Sequence, residues 1–294
     1  MELIELFCKV DDFCNEFLST WETKLICSGE KQRNRSGNLS LSERLTIMIN
    51  FHQSDYKTFK HYYKDHVCKY LKGDFPNLIS YTRFIGLIPL LLIPLCYLLH
   101  FFRGKVTGIS YIDSTPIAIC KNIRIERNKV FKGIAKRGKN TMGWFFGFKV
   151  HIVVNDMGEL LAVNISTGNI DDRVPVPILT KNISGKLFAD KGYISAKLFK
   201  ELMEKGLQLI TTLKGNMKNK FIPMIDKLLL RKRFIIETIN DQLKNISQIE
   251  HSRHRSVKNC MVNILAGLAA YVFQEKKPAL KHLYTPLGKI NIAI

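Results

Sequence analysis

One stretch restricts the fold of this chain more than any other. Phe148, Val150, Ile152 and Val154 alternate with Gly147, Lys149, His151 and Val153. A period of two is the mark of a β-strand. Asn155-Asp156-Met157-Gly158 follows as a turn, and residues 160–165 return as another apolar run. This is a hairpin. The β-branched run at 107–119 precedes it as a first strand. Residues 186–190 and 208–213 add a fourth and a fifth strand, with helices expected at 175–182, 195–205 and through much of 223–273. Strand, hairpin, helix, strand, helix, strand, helix describes a mixed α/β domain from about 105 to 275, with a tail at 276–294.

The first 104 residues read differently. Leu3, Leu6, Phe7, Val10, Phe13, Cys14 and Phe17 recur at helical spacing. Residues 28–40 are polar and basic and read as a loop. Ser40 with Glu43 forms a capping box that opens a second helix. Aromatic Tyr56, Phe59, Tyr62 and Tyr63 mark a third. These helices suit a helix-turn-helix DNA reader or a plain bundle, and the pattern does not choose between them. Residues 86–102 are apolar and uncharged, but Pro89 and Pro94 interrupt them. The stretch is short for a membrane span, so it is expected to be a buried core helix.

Three acidic residues then stand out by their settings. Asp113 lies in the first strand, Asp190 ends the apolar Leu187-Phe188-Ala189, and Glu237 lies on the helix expected at 233–244. A charge inside an apolar run is costly unless it is paired or put to use. Gly192, just after Asp190, lets the backbone turn at a strand end, where ligands commonly bind in α/β sheets. On the last helix Ile236, Ile239, Leu243 and Ile246 form a core stripe, whereas Arg233, Glu237, Asn240, Asp241 and Lys244 share another face. A metal-binding Glu237 and an ordinary Arg233–Glu237 surface pair account for that face equally well.

The rest of the chain is basic. Forty-five Lys and Arg oppose 25 Asp and Glu, a formal net charge of +20. Such an excess favours a polyanionic partner, because each neutralised phosphate releases a counterion. DNA or RNA fits best, with an anionic membrane surface as the rival. Eight Lys or Arg against the single acid Glu126 fill residues 121–139, and His251-Ser252-Arg253-His254-Arg255-Ser256-Val257-Lys258 forms a second basic stretch. Both suit phosphate contacts. No Cys or His completes a zinc site around His251 and His254. The seven cysteines show no CxxC spacing, and the first residues lack the basic region of a signal peptide, so a reduced cytoplasmic setting is expected. Two aspartates and a glutamate within a basic protein match phosphodiester chemistry by two hard divalent ions, in which an activated water or a DNA 3′-hydroxyl attacks.

These residues resemble the DDE transposases of bacterial insertion sequences, and most closely the insertion sequence 982 family. The resemblance is carried by Phe51-His52-Gln53-Ser54, Thr58-Phe59-Lys60, Thr107-Gly108-Ile109-Ser110-Tyr111-Ile112-Asp113-Ser114-Thr115, Gly168-Asn169-Ile170-Asp171-Asp172-Arg173, Ala189-Asp190-Lys191-Gly192-Tyr193 and His254-Arg255-Ser256-Val257-Lys258-Asn259. The related signature Tyr-x2-Arg-x3-Glu-x6-Lys is met by Arg233, Glu237 and Lys244, with Leu230 at the tyrosine position. The resemblance implies a ribonuclease H-like core with Asp113, Asp190 and Glu237 as ligands of two Mg²⁺ or Mn²⁺. It implies DNA contacts from Arg233, Lys244, His254 and Arg255. It also implies double-stranded DNA as partner (terminal inverted repeats and target), a homodimer or higher oligomer on DNA, and no membrane. The gap between Asp190 and Glu237 is too short for the large β insertion of some relatives, so a compact core is expected. The rival readings are a ribonuclease H-like nuclease that cuts without joining and a non-catalytic DNA-binding protein.

Overall fold

The structure, a computed structural model, describes residues 1–27, 37–141, 143–212, 222–250 and 254–280 of the chain. Most of the expected loop at 28–40, the end of the expected strand at 213, His251 and the tail beyond 280 lie outside the described residues.

In chain order, α1 (Leu3–Cys27) and α2 (Leu41–Gln53) come first. The short α3 (Phe59–His61) runs on as a π-helical turn (Tyr62–Val67) into α4 (Cys68–Tyr70). Then α5 (Tyr81–Leu87) continues through a 3-10 turn (Ile88–Leu91) into α6 (Leu92–Phe101). Next are β1 (Ile109–Cys120), β2 (Lys136–Asn140), β3 (Gly143–Asn155), β4 (Leu160–Thr167), α7 (Val176–Leu179) and β5 (Gly185–Ala189). The described chain closes with α8 (Ala196–Glu204), β6 (Leu207–Thr211), α9 (Met224–Arg231), α10 (Phe234–Asn245) and α11 (Val257–Val272).

The chain divides into two compact units. One is Met1–Phe102 with Leu243–Glu275; the other is Arg103–Gln242 joined, among the described residues, by Lys276–Leu280. The expected run of the α/β domain to residue 275 does not hold, because α11 packs on α2 and α6 instead. The reason is composition. From Cys260 to Tyr271 this helix is buried almost all round, so it needs helices on several sides, as in the middle of a bundle. The described start of the tail also belongs to the sheet unit, where the Leu280 N–H donates to the Asp156 carbonyl at 2.8 Å.

In the helical unit the capping box forms as its spacing implied. Ser40 Oγ accepts from the Glu43 N–H at 3.0 Å, and Glu43 Oε2 accepts from the Ser40 N–H at 2.6 Å. The buried His52 ring bonds the Ser247 carbonyl at 2.6 Å through Nδ1. The apolar stretch is helical from Tyr81 to Phe101, and by length and composition this is one helix able to cross a membrane. Leu91, Leu95 and Leu98 are fully buried, while Leu90, Ile93, Tyr97 and Phe101 are exposed. The expectation of a buried core helix is therefore met along one face only, because neighbouring helices cover it on one side.

The sheet unit carries six strands among the described residues, in the order β2-β3-β1-β5-β6, with β4 also pairing β3. β1, β3 and β4 are antiparallel; β5 joins β1 and β6 in parallel. The fold is thus a mixed α/β sheet structure, with the five expected strands in place. β2 is additional, and it lies inside the basic stretch. One sheet face packs Ile112, Val153, Leu187 and Ala189 against Leu179, Leu198 and Leu202 of α7 and α8. On the other face Tyr111 stacks on Phe188 at 5.4 Å and donates its hydroxyl to the Leu229 carbonyl at 3.2 Å, which fixes the end of α9. Lys186 Nζ and the buried Asp226 pair at 2.6 Å and tie the start of α9 to β5. Helix α10 forms as its periodicity required, with Ile235, Ile236, Ile239 and Leu243 buried. Ile246 is 56 % exposed, against the expected stripe, because the helix stops at Asn245.

Candidate active site

Strand register brings the first two acids together. β1 and β5 pair in parallel as Ile109↔Lys186, Ser110↔Leu187 and Tyr111↔Phe188. The same register carried two residues further sets Asp113 level with Asp190. Asp190 stands where β5 ends, opening a 3-10 turn (Lys191–Tyr193). Beyond this level β1 has no β5 partner, which leaves a notch at the end of the shorter strand. This is the strand-end crevice that α/β sheets use for ligands.

Helix α10 supplies the third element. Asn240, buried, donates from Nδ2 to Asp113 Oδ2 at 3.1 Å, and the Ser114 N–H donates to Asp113 Oδ1 at 2.9 Å. Both oxygens of Asp113 are therefore held in one orientation. Glu237 lies one turn before Asn240, near enough for its charge to act on Asp113. Its carboxylate is exposed and paired with Arg233, one turn further back. The Arg233–Glu237 surface pair is therefore formed, with Glu237 within electrostatic reach of Asp113.

The electrostatics mark Asp113 as the strained member. Desolvation pushes its carboxyl up to about 6. The Ser114 N–H and Arg233 oppose this, and Glu237 and Asp172 add to it by like-charge repulsion. Tyr193, buried, is raised above the tyrosine range by burial, with Asp113, Asp172 and Asp190 contributing. One phenol thus stands among three carboxylates.

Asp172 was not among the expected site residues, although it lies in the Gly168-Asn169-Ile170-Asp171-Asp172-Arg173 motif. Lys149 Nζ holds it at 2.9 Å and also donates to the Ile170 carbonyl at 2.9 Å. His151 stands 4.0 Å away, too far for a hydrogen bond. Burial and Lys149 push that imidazole down to about 4 against the pull of Asp172, so it is neutral at pH 7. Its Nε2 bonds Ser166 Oγ at 2.7 Å. Asp171 turns the other way, to Arg173 at 2.6 Å, and Arg173 reaches the Ile194 carbonyl at 3.3 Å. The motif thereby ties the loop after β4 to the loop that carries Asp190 and Tyr193. The two consecutive acids of the motif were the available signal. Only one of them is spent on its neighbouring arginine.

The other expected contact residues, Lys244, His254 and Arg255, belong to the helical unit. Lys244 pairs with Glu250 at 3.4 Å. His254 and Arg255 lie just before α11, in the helical unit, with His254 half-buried and Arg255 exposed.

The donors suit a hard divalent cation. They are carboxylate oxygens, and the burial and like-charge repulsion that raise Asp113 are what a cation offsets. Among the described residues, however, no three His, Cys, Asp or Glu side chains are grouped to hold one ion. Glu237 is committed to Arg233, so the set is closed only if that carboxylate changes partner.

Comparison with known families places this unit. Residues 103–257, more than half of the chain, match the family described as a transposase DDE domain. The matched span contains Asp113, Asp172, Asp190 and Glu237. A search of curated proteins returned no match.

Proposed function

This chain belongs to the transposase DDE-domain family, and on that premise we propose that it is a DNA transposase of the insertion sequence 982 type. It cleaves the ends of its element and joins the freed 3′-hydroxyl to target DNA. The observation that carries the reading is the convergence of β1, the end of β5 and α10 on Asp113. Register sets Asp190 beside it, and α10 brings Asn240 and Glu237 over it. The strand order, with the antiparallel trio on one side of β1 and the parallel pair on the other, supports a ribonuclease H-like core.

In this reading Asp113 and Asp190 hold two Mg²⁺ or Mn²⁺, and Glu237 completes the set on leaving Arg233. When bound, divalent metal supplies nucleophile activation and charge compensation at the phosphate. The protein's own part is positional. The Ser114 amide and Asn240 hold Asp113 by donating to it, which favours its ionised form. Tyr193 remains a neutral phenol at working pH and presents no additional negative charge to DNA. Arg233, once released from Glu237, and the exposed Arg255 are available for phosphate, with Lys244 and His254 as further contacts. The helical unit serves end recognition and pairing of protomers, since two DNA ends must be joined in concert. The protein acts on DNA in the bacterial cytoplasm.

Glu237→Gln keeps the shape of the side chain and removes its charge. Strand transfer with Mg²⁺ is expected to fall about 10²–10³-fold, the usual cost of losing one charge-stabilising group. A wild-type rate would show that Glu237 is no ligand. Nicked DNA without joined products would point to a nuclease. Undiminished function in EDTA would point to a DNA-binding protein without catalysis.

A further inference from the structure

The sheet does not stop at the carboxylates. β5 pairs with β1 only as far as Tyr111, yet β1 and β3 stay paired to Cys120↔Phe146, and β2 continues along β3 to Asn140↔Gly143. A narrow ribbon therefore projects past the notch. Ile152 opposes Asp113, and opposed residues of antiparallel strands project from the same face. Trp144 lies an even number of residues from Ile152 on β3, so it is set on the face that carries Asp113. Eight residues of strand span about 26 Å, which is roughly eight steps of duplex DNA.

That face is strongly basic. Residues 121–135 are anchored over it by the buried Phe131, whose ring meets Phe148 edge-on at 6.1 Å, and β2 adds Arg137 and Lys139 on this face, whereas Lys136 of the same Lys121–Lys139 stretch, opposite Gly147, is set on the other. All eight of its Lys and Arg residues are exposed, and its one acid, Glu126, comes no nearer than 3.9 Å to Arg137. At the tip, Trp144 is 60 % exposed. Its backbone is fixed, because Asn122 Nδ2 donates to the Trp144 carbonyl at 2.7 Å. Lys139 Nζ stands 5.8 Å from the ring centroid. Ile123, 87 % exposed, extends the apolar surface. A fixed, open indole beside a lysine, at the end of a track of cations, has the composition of a surface that binds phosphates and stacks bases.

We propose that this ribbon is a DNA-contact surface, in which the Lys and Arg of residues 121–139 hold the backbone and Trp144 stacks on an unpaired base near a DNA end. It rests on the transposase reading for one point, that processing of DNA ends is what exposes unpaired bases. A paired base is already stacked on both faces, so the indole discriminates in favour of frayed or tailed ends.

The test uses the full chain in EDTA, so that DNA stays intact, at fixed salt. Its probes are a continuous duplex and the same duplex with a short unpaired tail. Trp144→Ala is expected to weaken binding of the tailed DNA about tenfold and of the continuous duplex less than about twofold. Trp144→Phe is expected to retain most of the preference. Lys129→Ala/Lys132→Ala/Arg137→Ala is expected to weaken both probes. Equal losses of Trp144→Ala on both probes, or no loss, overturn the stacking role. So does Trp144-dependent binding to phosphatidylglycerol vesicles as tight as to tailed DNA, which would make the ribbon a membrane surface. Cleavage with Mg²⁺, measured separately, keeps the two readings apart. A wild-type protein that cuts but shows no tail preference retains the transposase and loses the ribbon; one that prefers tails but never cuts does the reverse.

Discussion

The ribbon built along β3, with β1 beside it at one level and β2 at the other, carries opposite chemistry at the two. At Asp113 the ribbon is covered. Asn240 of α10 bonds the carboxylate, and desolvation pushes it up to about 6. At Trp144 the ribbon is bare, and every neighbouring Lys and Arg is solvated. Under the proposed function, the difference is how one sheet would divide its work. A carboxylate that must bind a cation gains from low dielectric and like-charged neighbours, because both make it a hungrier ligand. Lysines that must bind phosphate gain from staying in solvent, where no burial cost precedes binding and each neutralised phosphate releases a cation condensed on the DNA.

The largest expected effect comes from the covered level. Asp113→Ala should lower the cleavage rate with Mg²⁺ by at least about 10²–10³-fold, while DNA affinity in EDTA stays within a few-fold of wild type. Near-normal turnover would erase the contrast, since the buried acid would then be ordinary structure. The bare level should respond in the opposite way. Lys129→Ala/Lys132→Ala/Arg137→Ala should reduce the slope of log affinity against log salt by about two to three, with cleavage at saturating DNA little changed. An unaltered salt slope would show that these cations are only a solvated face. The smallest effect probes the support beneath both levels. Tyr111→Phe removes the hydroxyl that meets the Leu229 carbonyl, which should cost about 1 kcal/mol in denaturant unfolding and leave DNA binding intact. A change in cleavage much larger than in stability would mean that α9 also positions the site.

Much of the sheet unit was legible because alternation is a local signal. The β3–β4 hairpin, the strand before Asp190 and the helix carrying Glu237 lie where their patterns put them. β2 was not legible. Lys136-Arg137-Gly138-Lys139-Asn140 has no apolar alternation, and the strand forms through contact. Gly138 packs so tightly that a Cβ there would lie 2.1 Å from the Gly168 carbonyl oxygen. Ile246 was misplaced because the stripe ran past the helix end without a sequence stop signal. α11 was assigned to the wrong unit, since apolarity shows that a helix is buried but not against what. In the site, the charge types of Asp113, Asp190 and Glu237 pointed to metal chemistry, but Asp172 stood out only when Lys149 of another strand was seen to hold it.

The sequence by itself determined the identity of the donors, the excess of cations and the strands and helices that carry them, because composition and periodicity act over a few residues. Tertiary structure alone decided which groups meet. It set Asp190 level with Asp113, turned Asn240 onto that carboxylate, left Glu237 with Arg233 and carried the basic segment onto the face of Trp144. Those outcomes depend on register and on packing between distant segments, where a shift of a single residue along a strand reverses the face a side chain presents.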